Sequence, residues 1–301
     1  MNMPNIIKTG LICSIIALAG SISAHAQTRT DEVIGASLLT QQHPFYIALG
    51  QAMKDKALEE GVTLNISIAN QDLNKQVSDI EDFITKKVNA IILSPVDSKG
   101  VKSVILKAQK AGILVFTVDI AASGVEVTSH IATDNYSGGV LGGELMGKAL
   151  DGKGDVAIIT YPSVQSVMDR VEGFKKGIAE FPDIKIVAVQ PGITRAEALV
   201  SSQNILQANP NLAGIFGFND DMALAAASAV KSAKRTTKVF GFDGMEEARK
   251  AVDNDPLFIG VITQHPEKMG ELAVEAAIKA IRGESVEKNI PIIPGVYVKK
   301  D

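Results

Sequence analysis

The sequence predicts an α/β protein whose strands form parallel sheets covered on both faces by helices. Two patterns lead there. Nine short, nearly continuous apolar runs rich in β-branched residues alternate with longer segments in which apolar residues recur at helical spacing. Glycine and proline also fall where those helices should stop and start.

The strand-like runs are residues 33–38, 62–69, 90–93, 113–118, 156–160, 184–189, 214–218, 238–242 and 258–263. Leu73, Val77, Ile80 and Ile84 share one face of the helix expected after the second run. Val101, Val104, Ile105 and Ala108 do the same after the third. Gly61 and Gly112 stand where helices should end, Pro266 suits a first helical turn that needs no N–H, and Gly283 closes that same helix. This pattern is compatible with one sheet, a closed barrel or two doubly wound lobes. In an open parallel sheet, functional groups gather in the loops at the strand C-termini, around the point where the strand order reverses.

The first 26 residues read as an export signal. Lys8 precedes an apolar run from Leu11 to Ala19, and small residues follow, ending in Ala24-His25-Ala26. The run is far shorter than the roughly 20 apolar residues of a membrane-spanning helix, so cleavage after Ala26 is expected. Cys13 is the single cysteine and lies inside that run, without the context of a lipid-attachment site. The exported chain would therefore carry no thiol, which excludes disulfides, cysteine nucleophiles and thiolate metal sites and suits an oxidising compartment.

Of 301 residues, 46% are hydrophobic and the formal net charge is −4, with no basic block to neutralise phosphates. No nucleic acid is expected as a partner. The four histidines, His25, His43, His130 and His265, show no paired metal-ligand spacing. Gly138-Gly139 and Gly142-Gly143 belong to a helical pattern, and neither a dinucleotide-binding fingerprint nor a P-loop occurs. No cofactor, metal or catalytic residue is expected.

Polar residues stand where several apolar runs end: Asp119, Asn219 with Asp220, Asp243 and Gln264. After the first run comes Gln41-Gln42-His43-Pro44-Phe45-Tyr46, where Pro44 can open a helix and two aromatics sit at its start. Carboxylates accept from hydroxyls, amides accept and donate, and rings cover the C–H face of a sugar, so the set suits a polyhydroxylated ligand. Each residue also has a plainer role open to it. Asp and Asn after a strand are common turn formers and helix caps, and Phe45 and Tyr46 could be core residues.

Seven stretches, in order along the chain, resemble ribose-binding-type periplasmic proteins. They are Gln42-His43-Pro44-Phe45-Tyr46, Ile91-Ile92-Leu93-Ser94-Pro95, Val115-Phe116-Thr117-Val118-Asp119, Ser129-His130-Ile131-Ala132-Thr133-Asp134-Asn135, Gly173-Phe174, Phe218-Asn219-Asp220-Asp221-Met222-Ala223-Leu224 and Val239-Phe240-Gly241-Phe242-Asp243-Gly244. Lactose-type repressors share this core but begin with a helix-turn-helix, where this chain has its signal-like segment.

The resemblance implies two doubly wound parallel-sheet lobes joined by three hinge strands, with a ligand cleft between them. Residues 27–133 with 265–293 would form the N-terminal lobe, and 134–264 with 294–301 the C-terminal lobe, the crossings lying near Thr133-Asp134, Gln264-His265 and Ile293-Pro294. It implies a periplasmic substrate-binding protein, not an enzyme, that closes on one small sugar or polyol and delivers it as a monomer to an inner-membrane ABC permease. A sensor protein, chemoreceptor or histidine kinase, is an alternative reader of the closed form. A periplasmic sugar-acting enzyme is the lesser alternative.

The ligand-binding residues carried over are His43, Phe45, Tyr46, Asp119, Asn219, Asp243 and Gln264, with Ile120 and Met168 at the places expected for two arginines of the ribose binders. His43 replaces an asparagine of that family, and Ile193 or Thr194 replaces an aromatic. A charge-assisted hydrogen bond contributes about 1.5–3 kcal/mol, so losing two arginines should disfavour ribose itself. The expected ligand is pentose-sized or smaller: a short sugar alcohol, a deoxy or branched sugar, or another pentose.

Overall fold

The computed structural model describes Met1 and residues 32–299. The expected signal segment, Cys13 and the cleavage point at Ala26 lie outside the described residues, as do residues 300–301. Met1–Thr30 and Asp31–Asp301 form separate units, and the architecture is that of the second.

The first half of the chain supplies β1 (Val33–Leu38), α1 (Pro44–Glu60), β2 (Thr63–Ile68), α2 (Leu73–Thr85), β3 (Ala90–Leu93), α3 (Lys102–Lys110), β4 (Leu114–Val118) and β5 (Ser129–Thr133). Next come α4 (Asn135–Ala149), β6 (Lys153–Thr160), α5 (Gln165–Ile178), β7 (Asp183–Pro191), α6 (Arg195–Ala208), β8 (Leu212–Gly217), α7 (Asp220–Ser232), β9 (Lys238–Asp243), α8 (Glu246–Asn254) and β10 (Phe258–Thr263). The chain ends with α9 (Pro266–Ile281), β11 (Asn289–Ile292) and β12 (Gly295–Val298).

These strands form two six-stranded sheets, one per lobe, in the orders β11-β5-β4-β3-β1-β2 and β12-β10-β9-β8-β6-β7. Every pairing is parallel except that of β12 with β10. In both sheets the order reverses beside the first strand of the lobe, β1 in one and β6 in the other, which creates a switch-point crevice at the strand C-termini. The chain passes between the sheets after β5, after β10 and between β11 and β12.

The terminators expected from sequence act as such. Gly61 caps α1 in the left-handed region at φ 68°, and Gly283 follows α9 at φ 80°. Pro44 and Pro266 open α1 and α9, where a missing N–H costs nothing. β5, β11 and β12 carry no continuous apolar run. β5 is a short polar-rich strand, and β11 and β12 alternate half-buried and exposed residues at sheet edges, so hydrophobic continuity does not reveal them.

One packing contact fixes much of the second lobe. A Cβ placed on Gly139 or Gly143 of α4 would collide with the carbonyl of Arg170 or Phe174 in α5, and one on Gly173 or Gly177 of α5 with that of Tyr136 or Val140 in α4. The two helices therefore touch backbone to backbone. Phe174, fully buried, stacks on Phe216 of β8 at 4.4 Å between centroids and carries the pair onto the sheet. The paired glycines of 138–143 thus serve packing. Alanine at 143 should gain up to ~1 kcal/mol of helix propensity yet destabilise by about 1–3 kcal/mol net, since a main-chain neighbour cannot step aside. Urea unfolding of Gly143→Ala checks this, and an unchanged or raised midpoint would contradict it.

Candidate ligand-binding site

The strand C-termini of both sheets enclose a cavity of about 260 Å³. His43, Phe45, Tyr46, Asp119, Ile120, Asn219, Asp243 and Gln264 all line it. Met168 does not. Its side chain is 40% exposed, because Ser166, Val167 and Arg170, spaced three and four apart, hold the inward face of α5 and Met168 lies around the helix from them. The expectation that both arginines are lost is corrected accordingly: Arg170 lines the cavity, and Ile120 is the apolar replacement that faces it.

On the first lobe, Pro44 starts α1 and sets Phe45 and Tyr46 edge to face, 5.2 Å between centroids. Both are buried and both line the cavity, so the core and the ligand wall are the same rings here. The Tyr46 hydroxyl donates to Asp119 Oδ2 at 2.6 Å and lies 3.2 Å from Ser94 Oγ. Asp119 follows β4 in the left-handed region, φ 64°, an arrangement open to Asp and Asn but strained for most residues. Burial pushes its carboxyl up to about 6, although Arg170 across the cleft pulls the other way. Burial, then the neighbouring Asp119, raises the Tyr46 phenol well above its ordinary value, so it stays a donor.

The second lobe holds its carboxylate differently. Asp243 ends β9 at φ 111°, and its Oδ1 accepts from Gln264 Nε2 at 2.6 Å and from Arg170 at 3.3 Å. Arg170 is buried and well satisfied: Nε donates to Asn135 Oδ1 at 2.8 Å, Nη1 to the Phe218 carbonyl at 3.0 Å, and the guanidinium lies 4.0 Å over the Phe242 ring. Among the described residues Gln264 Oε1 has no hydrogen-bond partner though buried, a ready acceptor for a hydroxyl. Asn219 caps α7 by accepting from Met222 N at 3.0 Å, so the plain capping role and the place on the cavity wall coincide. Asp220 accepts from Gly244 N and Met245 N and clamps the loop after β9; burial raises its carboxyl well above the ordinary range.

Sequence reasoning missed Arg170, Tyr161 and Phe218 as lining residues. Tyr161 and Phe218 directly follow β6 and β8, and the strand-end rule that found Asp119 could have found them. Arg170 had no such signal, because an arginine in an amphipathic helix reads as solvent-facing. Ile193 and Thr194 both line the cavity.

The lobes meet across the mouth. Ser98 N donates to the Ser163 carbonyl at 3.1 Å, and Gln165 N to Ser98 Oγ at 3.0 Å. His43 Nε2 lies 3.4 Å from Asp243 Oδ2.

Residues 34–285 match the model of the periplasmic binding protein domain. The chain is 31% identical over 299 residues to the ribose import binding protein of Escherichia coli K12, covering 98% of this chain and 100% of that protein. It is 34% identical over 252 residues to a D-apiose import binding protein of Actinobacillus succinogenes, 82% of this chain and 79% of that one. An ABC transporter solute binding protein of Mycobacterium smegmatis, solved with bound glycerol, superposes with a TM-score of 0.83 at 35% identity over 90% of this chain and 95% of that one.

The burial of Asp119 has a consequence that can be measured without a ligand. Asp119 titrates near 6 in the fold but near 4 in the unfolded chain, so the folded protein binds its proton more tightly. Its favourable contribution is complete below about pH 4 and is lost as pH rises through about 6. Asparagine keeps the left-handed backbone and removes the buried charge. Asp119→Asn should therefore stabilise the protein at pH 7 by on the order of 1–3 kcal/mol and leave it little changed at pH 4. Thermal unfolding of both proteins from pH 4 to 7 tests this, and parallel profiles would refute it.

Proposed function

Because the chain belongs to the periplasmic binding protein family and is of the ribose-binding type, we propose that it captures one small polyhydroxylated ligand by lobe closure and delivers it to an ABC importer. Members of this family are substrate-binding proteins, so Asp119 and Asp243 act as hydrogen-bond acceptors and not as a hydrolytic pair. The lobes of this reading are residues 27–133 with 265–293, and 134–264 with 294–301. The three passages of the chain between the sheets serve as the hinge.

The observation that carries the proposal is the facing of two carboxylates from opposite sheets into one small cavity with apolar walls. Asp119, Asp243 Oδ2 and Gln264 Oε1 accept from ligand hydroxyls; Arg170 and the amide nitrogen of Asn219 donate. Phe45, Ile120, Val164, Val167 and Phe218 face C–H surface. At about 260 Å³ the cavity is sized for one small sugar or polyol. Ile120, where ribose binders carry an arginine, removes a fork of donors and argues against ribose as the preferred ligand. Tetritols, pentitols, deoxy or branched sugars and other pentoses fit better.

A thermal-shift screen of triols, tetritols, pentoses, pentitols, hexoses and inositols tests the class. A ligand at 100 times its dissociation constant should stabilise by about 2.7 kcal/mol. In the best binder, Asp243→Asn should cost on the order of 1–3 kcal/mol of affinity by calorimetry while the fold is kept. No shift with any polyol or sugar would overturn the reading, and ribose binding most tightly would overturn its narrower part.

A further inference from the structure

Asp221 and Asp243 of the second lobe each commit one oxygen to their own lobe and turn the other toward His43 of the first. Asp243 Oδ1 accepts from Gln264 and Arg170, and its Oδ2 is the atom 3.4 Å from His43 Nε2. Asp221 Oδ1 is taken by Arg195, which is itself tied to Glu247, and its Oδ2 lies 4.0 Å from the same Nε2. The imidazole is equally committed on its own side. His43 is the N-cap of α1, and its Nδ1 accepts from Phe45 N at 3.2 Å. An Nδ1 that accepts carries no hydrogen, so this bond assigns the neutral tautomer with its hydrogen on Nε2. The ring is buried, anchored by one nitrogen to the first lobe, with the other nitrogen 3.4 and 4.0 Å from two carboxylate oxygens of the second.

We propose that His43 is a latch for the cleft. Its Nε2–H bridges the lobes when they come together, and it does so through Asp243, one of the carboxylates assigned above to the ligand, so closure and ligand capture share one anchor. This rests on the reading that the lobes separate to admit the ligand. A donor to a carboxylate is stronger than a neutral pair, and a buried one is poorly replaced by water once the cleft is shut. The contact between Ser98 and Ser163 is made by main-chain groups and tolerates most side chains; the histidine contact does not. Asparagine at this position, as in the ribose binders, would cap α1 as well but is too short to reach across. In this chain, then, the cap residue has gained a second task.

That difference provides the test, because His43→Asn keeps the cap and removes the bridge. Spin labels on Leu58→Cys in α1 and Val200→Cys in α6, both exposed, with Cys13→Ser, report the distance between lobes in the ligand-free protein by pulsed electron resonance. The wild-type background should show a closed population, and His43→Asn should lower its ratio to the open form about three- to tenfold, the loss of one hydrogen bond. Its melting temperature should stay within a few degrees. Adding Asp243→Asn to His43→Asn should lower the ratio no further, since both remove the same contact. An unchanged ratio in His43→Asn, additive effects, or no closed population in the wild-type background would each overturn the latch. A fall in melting temperature with an unchanged ratio would mark His43 as a cap alone. No ligand enters this measurement, so a failed sugar screen leaves its outcome intact and a failed latch leaves the screen intact.

Discussion

The buried guanidinium of Arg170 is the interaction on which the second lobe and half of the cavity depend. A charge withdrawn from water is tolerated only when its donors find partners, and here Nε and Nη1 are held by an amide, a main-chain carbonyl and a carboxylate while the guanidinium lies over the face of a ring. Those partners come from the start of α4, the end of β8 and β9. Arg170 can reach them because α4 and α5 approach to backbone contact, which glycine alone allows at Gly139, Gly143, Gly173 and Gly177. Four residues without side chains thus set the position of one large charged side chain, and that side chain helps to orient Asp243.

The lobes treat their carboxylates unequally. Asp243 has a cation and an amide of its own lobe beside it, whereas Asp119 has a phenol, and the guanidinium nearest it comes from across the cleft. With the lobes together, burial resists the ionisation of Asp119. Bringing the lobes together supplies the opposing charge. The same geometry leaves acceptor oxygens for ligand hydroxyls, at some cost to the stability of the fold. Both carboxylates also occupy positive-φ backbone, a strain consistent with side chains placed for a site.

Much of this was legible in the sequence, and for definite reasons. A strand buried on both faces must be apolar throughout, so the strands ending at Val118, Asp243 and Thr263 announced themselves, and the polar residues just beyond them marked the cavity wall. Gly61 and Gly283 ended helices because a left-handed residue is needed there, and Pro44 and Pro266 began them because no N–H is needed. Those requirements are local. They are met or broken by a residue and its immediate neighbours.

What only the tertiary structure decided depends on phase and on distance through space. Residue count could not say whether Met168 or Arg170 faces inward; the rotation of α5 against α4 did, and it favoured Arg170 because a carbonyl, an amide and a carboxylate wait there for its donors. The strands β11 and β12 lack an apolar run because sheet edges are buried on one side at most, and β5, though buried, is short and carries Ser, His and Thr, so their pairing had to be seen. The contact of His43 with two carboxylates some 180 and 200 residues away follows from nothing near it in the chain. Sequence determined which elements form and where they end, since these are settled within a few residues by sterics and water. The meeting of the elements is set by packing summed over the whole molecule, and only the folded chain performs that sum.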